Sequence, residues 1–188
     1  QCNNEINFLK TTNGPESTGV AMSGDGSLIA LNVFNSWCMF VSTDSGANFT
    51  KVTLPSYLNA QGAVHVSKSG NAIWFAKSDT GGLWKLSTTS WTWSSNYSGT
   101  VGYPRGLTGS EDGTIIYTAG GSGSYPFTGA VYKSTNSGAT FAAIPNTTKN
   151  WMGIHSSADG TKLIGWDSLK NVWISQDSGA TWTNEVNP

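Results

Sequence analysis

This chain has little charge. Lysine, arginine, aspartate and glutamate make up 11 % of its 188 residues, and the formal net charge is −1. With no basic stripe to neutralise phosphates, neither a nucleic acid nor an anionic membrane surface is an expected partner. No apolar run approaches the length of a membrane-spanning helix, so no membrane insertion is expected. Glutamate and lysine are too sparse, and no apolar stripe of period 3.6 is present, for helices to dominate. Arginine occurs once, at Arg105, and histidine twice, at His65 and His155. The chain has no Ser-His-Asp spacing and no phosphate-cradling glycine loop, and the two histidines have no third metal ligand at sister positions. No cofactor or metal is therefore expected. Two cysteines, Cys2 and Cys38, permit one disulfide in an oxidising compartment.

What the chain has in quantity is turn residues, aromatics and internal repetition. One phrase occurs three times: STDSGANF from Ser42 to Phe49, STNSGATF from Ser134 to Phe141, and SQDSGATW from Ser175 to Trp182. An Asx side chain accepts hydrogen bonds from amides just ahead of it, and glycine tolerates the positive φ of a tight turn. A second turn signal precedes each phrase: SGDG, SKSG, SEDG and SADG, with final glycines at 26, 70, 113 and 160. The intervals of 44, 43 and 47 residues define one repeating unit. Apolar stretches lie before and after each of these turns, a third leads into the phrase, and the closing aromatic opens a fourth. The second copy keeps only a degenerate phrase, STTSWTW. Four short strands every 40 to 50 residues or so, punctuated by turn glycines, predict propeller blades. The expected fold is all-β: a small β-propeller of about four four-stranded blades in one domain, 1–188. Repeats run at 14–59, 60–104, 105–152 and 153–188, after an extra N-terminal strand in 1–13.

The phrase resembles the Asp-box, Ser-x-Asp-x-Gly-x-x-Trp, found at the turn between the third and fourth strands of blades in sialidases, the sortilin ectodomain and oligoxyloglucan-directed glucanases. The resemblance implies that the box is structural, on the face away from any active site. It gives structural duties to Ser42, Asp44, Gly46 and Phe49, to Ser134, Asn136, Gly138 and Phe141, and to Ser175, Asp177, Gly179 and Trp182. Sialidases share an arginine triad that clamps the substrate carboxylate; the lone Arg105 cannot form one. A glycosidase of another kind needs two carboxylates across a cleft. Most acidic residues here fall in turn motifs, and Asp79 and Asp167 occupy equivalent loops between second and third strands.

The loop face opposite the Asp-boxes is the expected functional face. It gathers Trp37, Tyr57, Asn59, Gln61, Asp79, Tyr97, Tyr103, Arg105, Tyr125, Asn150, Trp151, Trp166 and Asp167. Aromatic platforms rimmed by amides and carboxylates suit the apolar faces and hydroxyls of sugars, so the expected function is a non-enzymatic, lectin-like binding module for a glycan or glycoprotein. Arg105 is expected to meet a ligand or carboxylate there. His65 and His155 share one repeat position in the innermost strand, where both can approach the central channel. The strand aromatics Trp74, Trp84, Tyr117, Tyr132 and Trp173 are expected in the core.

Three sequons, at Asn48, Asn96 and Asn146, and a start at Gln1 without an apolar leader fit a secreted, glycosylated chain. The segment Glu5–Thr12 reads as a fourth strand in excess of what four blades need. It extends the last blade, pairs with another copy of the chain, or reflects a cut from a longer parent protein, and the second alternative describes a structural subunit of an extracellular array or filament. A glycoside hydrolase is a third reading. In ordinary blade geometry a strand from Cys2 and a strand from Cys38 start on opposite faces, about 20 Å apart. A disulfide needs Cα atoms within about 7 Å. A Cys2–Cys38 bond is therefore expected to mark an unusual N-terminal path.

Overall fold

The structure, a computed structural model, describes residues 17–33, 38–55, 63–76, 82–97, 103–121 and 128–185. Sixteen strands in this set form four antiparallel sheets of four. Blade 1 comprises β1 (Ser17–Met22), β2 (Ile29–Val33), β3 (Cys38–Ser42) and β4 (Thr50–Thr53). Blade 2 comprises β5 (Ala63–Val66), β6 (Ala72–Ala76), β7 (Leu83–Ser87) and β8 (Thr92–Tyr97). Blade 3 comprises β9 (Tyr103–Gly109), β10 (Ile116–Gly121), β11 (Val131–Ser134) and the two-residue β12 (Ala142–Ala143). Blade 4 comprises β13 (Trp151–Ser156), β14 (Leu163–Asp167), β15 (Val172–Ser175) and β16 (Thr183–Glu185). Every blade is an up-and-down meander in sequence order. This is a small four-bladed β-propeller architecture. The predicted N-terminal strand lies outside the described residues.

The blades form because β-branched and aromatic residues alternate across each strand while Ser, Asp, Asn and Gly hold the reversals. In β6 and β10 every residue is buried, as expected of a sheet covered on both faces. The core is three layers between blades. Ala30, Met39 and Val41 of blade 1 meet Ile73, Phe75 and Leu86 of blade 2. Trp74 and Leu83 meet Leu107 and Ile116 of blade 3, and Tyr117 and Val131 meet Trp151, Ile154 and Leu163 of blade 4. Each fully buried large side chain contributes about 1.5–3 kcal/mol, so stability lies between blades rather than within them. Trp74 and Tyr117 are fully buried, as expected of core aromatics; Trp84, Tyr132 and Trp173 are half-buried. A fourth cluster, Cys38 and Phe40 with Leu31 and Phe49 against them, occupies the other face of blade 1. Cys38 is disulfide-bonded; Cys2 lies outside the described residues.

The inner strands pack in succession, β1 on β5, β5 on β9 and β9 on β13. Among the described residues β1 and β13 share no comparable packing, so within that set the four blades form an arc whose ends do not meet. Strands β1 and β3 run in the same direction, which puts the β1–β2 and β3–β4 turns on one face. The connections at 34–37, 56–62, 77–81, 98–102 and 122–127 lie outside the described residues.

Candidate functional site

Both kinds of turn consume their own polar groups. In the phrase at 175–182, Ser175 Oγ accepts from the Gly179 amide at 2.8 Å and donates to Asp177 Oδ1 at 2.9 Å. Asp177 Oδ1 then accepts from the Thr181 amide at 2.8 Å. The Thr181 side chain and amide, with Ser175, hold the Asp177 carboxyl below the usual range. The phrases at 42–49 and 134–141 repeat this network, with Asn48 doing for Asp44 what Thr181 does for Asp177. The residue before each glycine, Ser45, Ser137 or Ser178, is left-handed as well, so two successive positive-φ residues turn the chain.

The first turns do one thing more. Ser23, Ser110 and Ser157 each donate to an Asp two residues on, at 2.6 Å. That hydroxyl, followed by the amide and side chain of Ser27 or Thr161, draws the carboxyls of Asp25 and Asp159 down to about 2. In blade 2, Asn71 substitutes for the aspartate as the acceptor from Ser67. The second residue of each turn then links one blade to the next. The Gly24 amide donates to the Lys68 carbonyl at 2.9 Å, Lys68 to Glu111 at 3.0 Å, and Glu111 to Ala158 at 2.7 Å. A side-chain ion pair, Lys68 Nζ to Glu111 Oε1 at 2.5 Å, runs alongside. This ladder has two loose ends. Among the described residues, the Ala158 amide has no acceptor and the Gly24 carbonyl no donor.

Beside the ladder, where the inner strands end, lies an open cavity of about 220 Å³ lined by all four blades, including Met22, His65, Gly109 and Ser156. Burial, and then the nearby His155, push the His65 imidazole down to about 4, and its enclosed Nε2 has no hydrogen-bond partner. The His65 ring lies 5.6 Å from that of Trp74. The cavity opens on the phrase-bearing face, not on the loop face expected from the sequence.

The ends of the arc are the other unusual surface. Trp74 and Tyr117 sit four residues after the first-turn glycines of blades 2 and 3 and face the next blade, at 1 % and 0 % exposure. Ile164 holds that place in blade 4 and is 45 % exposed. Two residues on, Ala76 and Ala119 are buried whereas Trp166 is 41 % exposed. Strand β14 accordingly alternates, burying Leu163, Gly165 and Asp167, with Leu163 packed against blade 3, and exposing the other two. The Trp166 indole lies over Gly153, where a Cβ would meet the ring at 2.2 Å, and stacks on His155 at 6.1 Å. At the other end of the arc, Val20 and Met22 of β1 are exposed on the face turned away from blade 2, at 61 % and 59 %.

The sequence candidates divide. Trp166 and Arg105 are exposed, and Arg105 Nη1 contacts Met152 Sδ at 3.2 Å across blades 3 and 4. Trp151 and Asp167, expected on the ligand face, are instead structural. Trp151 is fully buried, donates to the Thr147 carbonyl at 2.7 Å and packs 5.3 Å from Trp182. Asp167 accepts from the Trp173 indole at 2.9 Å and from the Leu169 and Asn171 amides. Burial pushes its carboxyl up, but the hydrogen bonds from Asn171, Trp173 and Leu169 outweigh this and hold it low. Tyr97 and Tyr103 belong to β8 and β9, their side chains outside the description. Trp37, Tyr57, Asn59, Gln61, Asp79 and Tyr125 lie outside the described residues. Of the sequon asparagines, Asn48 and Asn146 are exposed at turns; the Asn96 side chain is not described. Sequence reading passed over Ile164, Val20 and Met22, because an isoleucine, valine or methionine in a strand reads as core.

No family model matches this chain, and no curated protein does. Solved structures match its fold. A chain of a nidogen–laminin complex superposes with a TM-score of 0.72 at 12 % identity, covering 92 % of this chain and 65 % of that one. The xyloglucanase of Xanthomonas campestris superposes at 0.64, 17 % identity, 89 % and 29 %. The hydrazine synthase of Kuenenia stuttgartiensis superposes at 0.66, 16 % identity, 90 % and 48 %. The chain thus spans less than two thirds of the length of each, and the likeness is one of β-propeller fold.

Proposed function

We propose that this chain is a non-enzymatic propeller module of the extracellular space that works by assembly, its end blades stacking on further blades. The observation that carries this reading is the front of blade 4. It has an apolar residue where blades 2 and 3 bury Trp74 and Tyr117, yet Ile164 and Trp166 stand exposed. Exposed contiguous apolar faces on propeller blades are places where another surface belongs. Catalysis is disfavoured by the employment of the carboxylates. Asp25, Asp44, Asp112, Asp159, Asp167 and Asp177 all hold their own turns, and Glu111 pairs with Lys68, which leaves no pair facing across a cleft among them. The extracellular setting is supported by the disulfide-bonded Cys38 and by sequon asparagines at exposed turns.

Electron microscopy of the native material tests the reading. Rings or filaments in which the blade 1 and blade 4 ends are covered support it; isolated open arcs overturn it.

A second reading, a lectin-like carbohydrate-binding module, is favoured by the exposed Trp166 ring with its His155 backing, a stacking platform of the size of a sugar ring. A glycan array with wild type and Trp166→Ala decides it: glycan binding lost in the variant supports it, and no binding by the wild type removes it.

A further inference from the structure

We propose that the blades covering the ends of the arc belong to a second copy of this same chain, joined head to tail, the front of blade 4 of one copy on the back of blade 1 of the next. The inference rests on the assembly reading and names its partner. Within the chain the same contact is built three times: the front of one blade, with Ala30, Trp74 or Tyr117 at its centre, against the back of the following one. The two ends expose the two halves of that contact. Blade 4 offers a front, with Ile164 and Trp166; blade 1 offers the inner part of a back, with Val20 and Met22, while Cys38 and Phe40 farther out on that face are buried. Each copy thus carries both surfaces, with the exposed Lys162 beside Ile164 on the front of blade 4 at the place where the other blades have Leu28, Ala72 and Ile115.

The inter-blade ladder sets the polarity. It runs from amide to carbonyl at one repeat position, Gly24 to Lys68 to Glu111 to Ala158. Among the described residues, what remains is the Ala158 amide as a donor at the blade 4 end and the Gly24 carbonyl as an acceptor at the blade 1 end. Face-to-face pairing of two blade 4 ends brings donor to donor, and of two blade 1 ends acceptor to acceptor. Head-to-tail stacking lets the Ala158 amide donate to the partner's Gly24 carbonyl and continues the ladder across the junction. A net charge of −1 sets up little repulsion between copies. Such a heterologous contact closes into a ring when its rotation permits and otherwise propagates as a filament.

The test uses the oxidised full chain and two variants at exposed positions, Ile164→Asp on the front and Val20→Asp on the back, sized by analytical ultracentrifugation. Melting curves check that both fold, and Ile164→Lys replaces the first if it does not. Wild type is expected as dimers or longer species and each variant alone as monomer. Their equimolar mixture is expected to form a one-to-one dimer, because one intact front meets one intact back. Hydrogen exchange at the Ala158 amide is expected to slow in the wild-type assembly and to stay fast in Ile164→Asp. A folded wild type that stays monomeric across the accessible concentration range overturns the inference, as does a front variant that self-associates like wild type. Native assemblies whose end blades are covered by a different chain, with monomeric purified protein, overturn this inference and leave the assembly reading standing. Native single arcs overturn both.

Discussion

Blades 2 and 4 share nearly the same strand pattern, although blade 2 has only a degenerate phrase and Asn71 in place of the first-turn aspartate, yet their second strands live in different surroundings. Strand β6 is buried at every residue, whereas β14 alternates buried and exposed. Blade 2 lies between two neighbours and blade 4 has one. A propeller strand has no inherent inside and outside, because each face becomes core when a blade stacks on it. An isoleucine therefore means core or interface according to what lies beyond it.

The largest contrast is between Trp74→Ala and Ile164→Ala. Trp74 is fully buried between blades and its indole donates to the Ser137 carbonyl at 3.0 Å, so its loss is expected to cost about 3–5 kcal/mol. Ile164→Ala, measured by chemical denaturation on the Val20→Asp background to remove self-association, is expected to cost about 1 kcal/mol or less. Equal costs would mean that the front of blade 4 is covered in the monomer.

Next in size is the pH response of the interior. His65 has its folded pKa pushed down to about 4 from 6.5. Between these values the unfolded chain binds a proton that the folded chain refuses, so stability is full above about pH 6.5 and declines as pH falls toward 4. The expected loss is about 3 kcal/mol. The gap between the denaturation midpoints of wild type and His65→Gln is expected to stay constant above about pH 6.5 and to shift against the wild type as pH falls toward 4. Parallel curves would refute the assignment to His65.

The turn serines sharpen the comparison from the other side. Ser134 in blade 3 and Ser175 in blade 4 are both buried and each accepts from a glycine amide four residues on. Replacing either by alanine is expected to cost about 1–3 kcal/mol, with melting temperatures lowered alike in the two blades. A cost confined to the inner blade would show that these turns depend on their neighbours. The smallest effect belongs to the Lys68–Glu111 pair. Its side chains are half exposed, and Glu111→Gln is expected to change stability by less than about 1 kcal/mol, and less again at high salt.

The strand and turn order was legible along the chain because its causes are short-ranged. A serine, an Asx and a glycine within a few residues close their own hydrogen bonds, and their spacing of just over 40 residues counts out the blades. The candidate site was legible only in part. Trp151 and Trp166 look alike as tryptophans close to a loop, yet one fills the space between blades 3 and 4 and the other lies open over Gly153. Asp167 looks like an Asp in a loop, but the Trp173 indole six residues on reaches back and turns it into a brace. These distinctions depend on which face of a strand meets a neighbour, and strand periodicity assigns residues to faces without saying which face is covered.

By itself, then, the sequence determined the all-β class, the number and order of the blades and the chemistry of their turns, since those follow from contacts within a few residues of one another. The tertiary structure decided how far round the arc extends and which faces are left exposed at its ends. It also joined the turns of the four blades into one polarised ladder, with a donor at one end and an acceptor at the other. Those properties arise from contacts between residues some 40 positions apart, where packing angle and blade spacing act and local pattern carries no information.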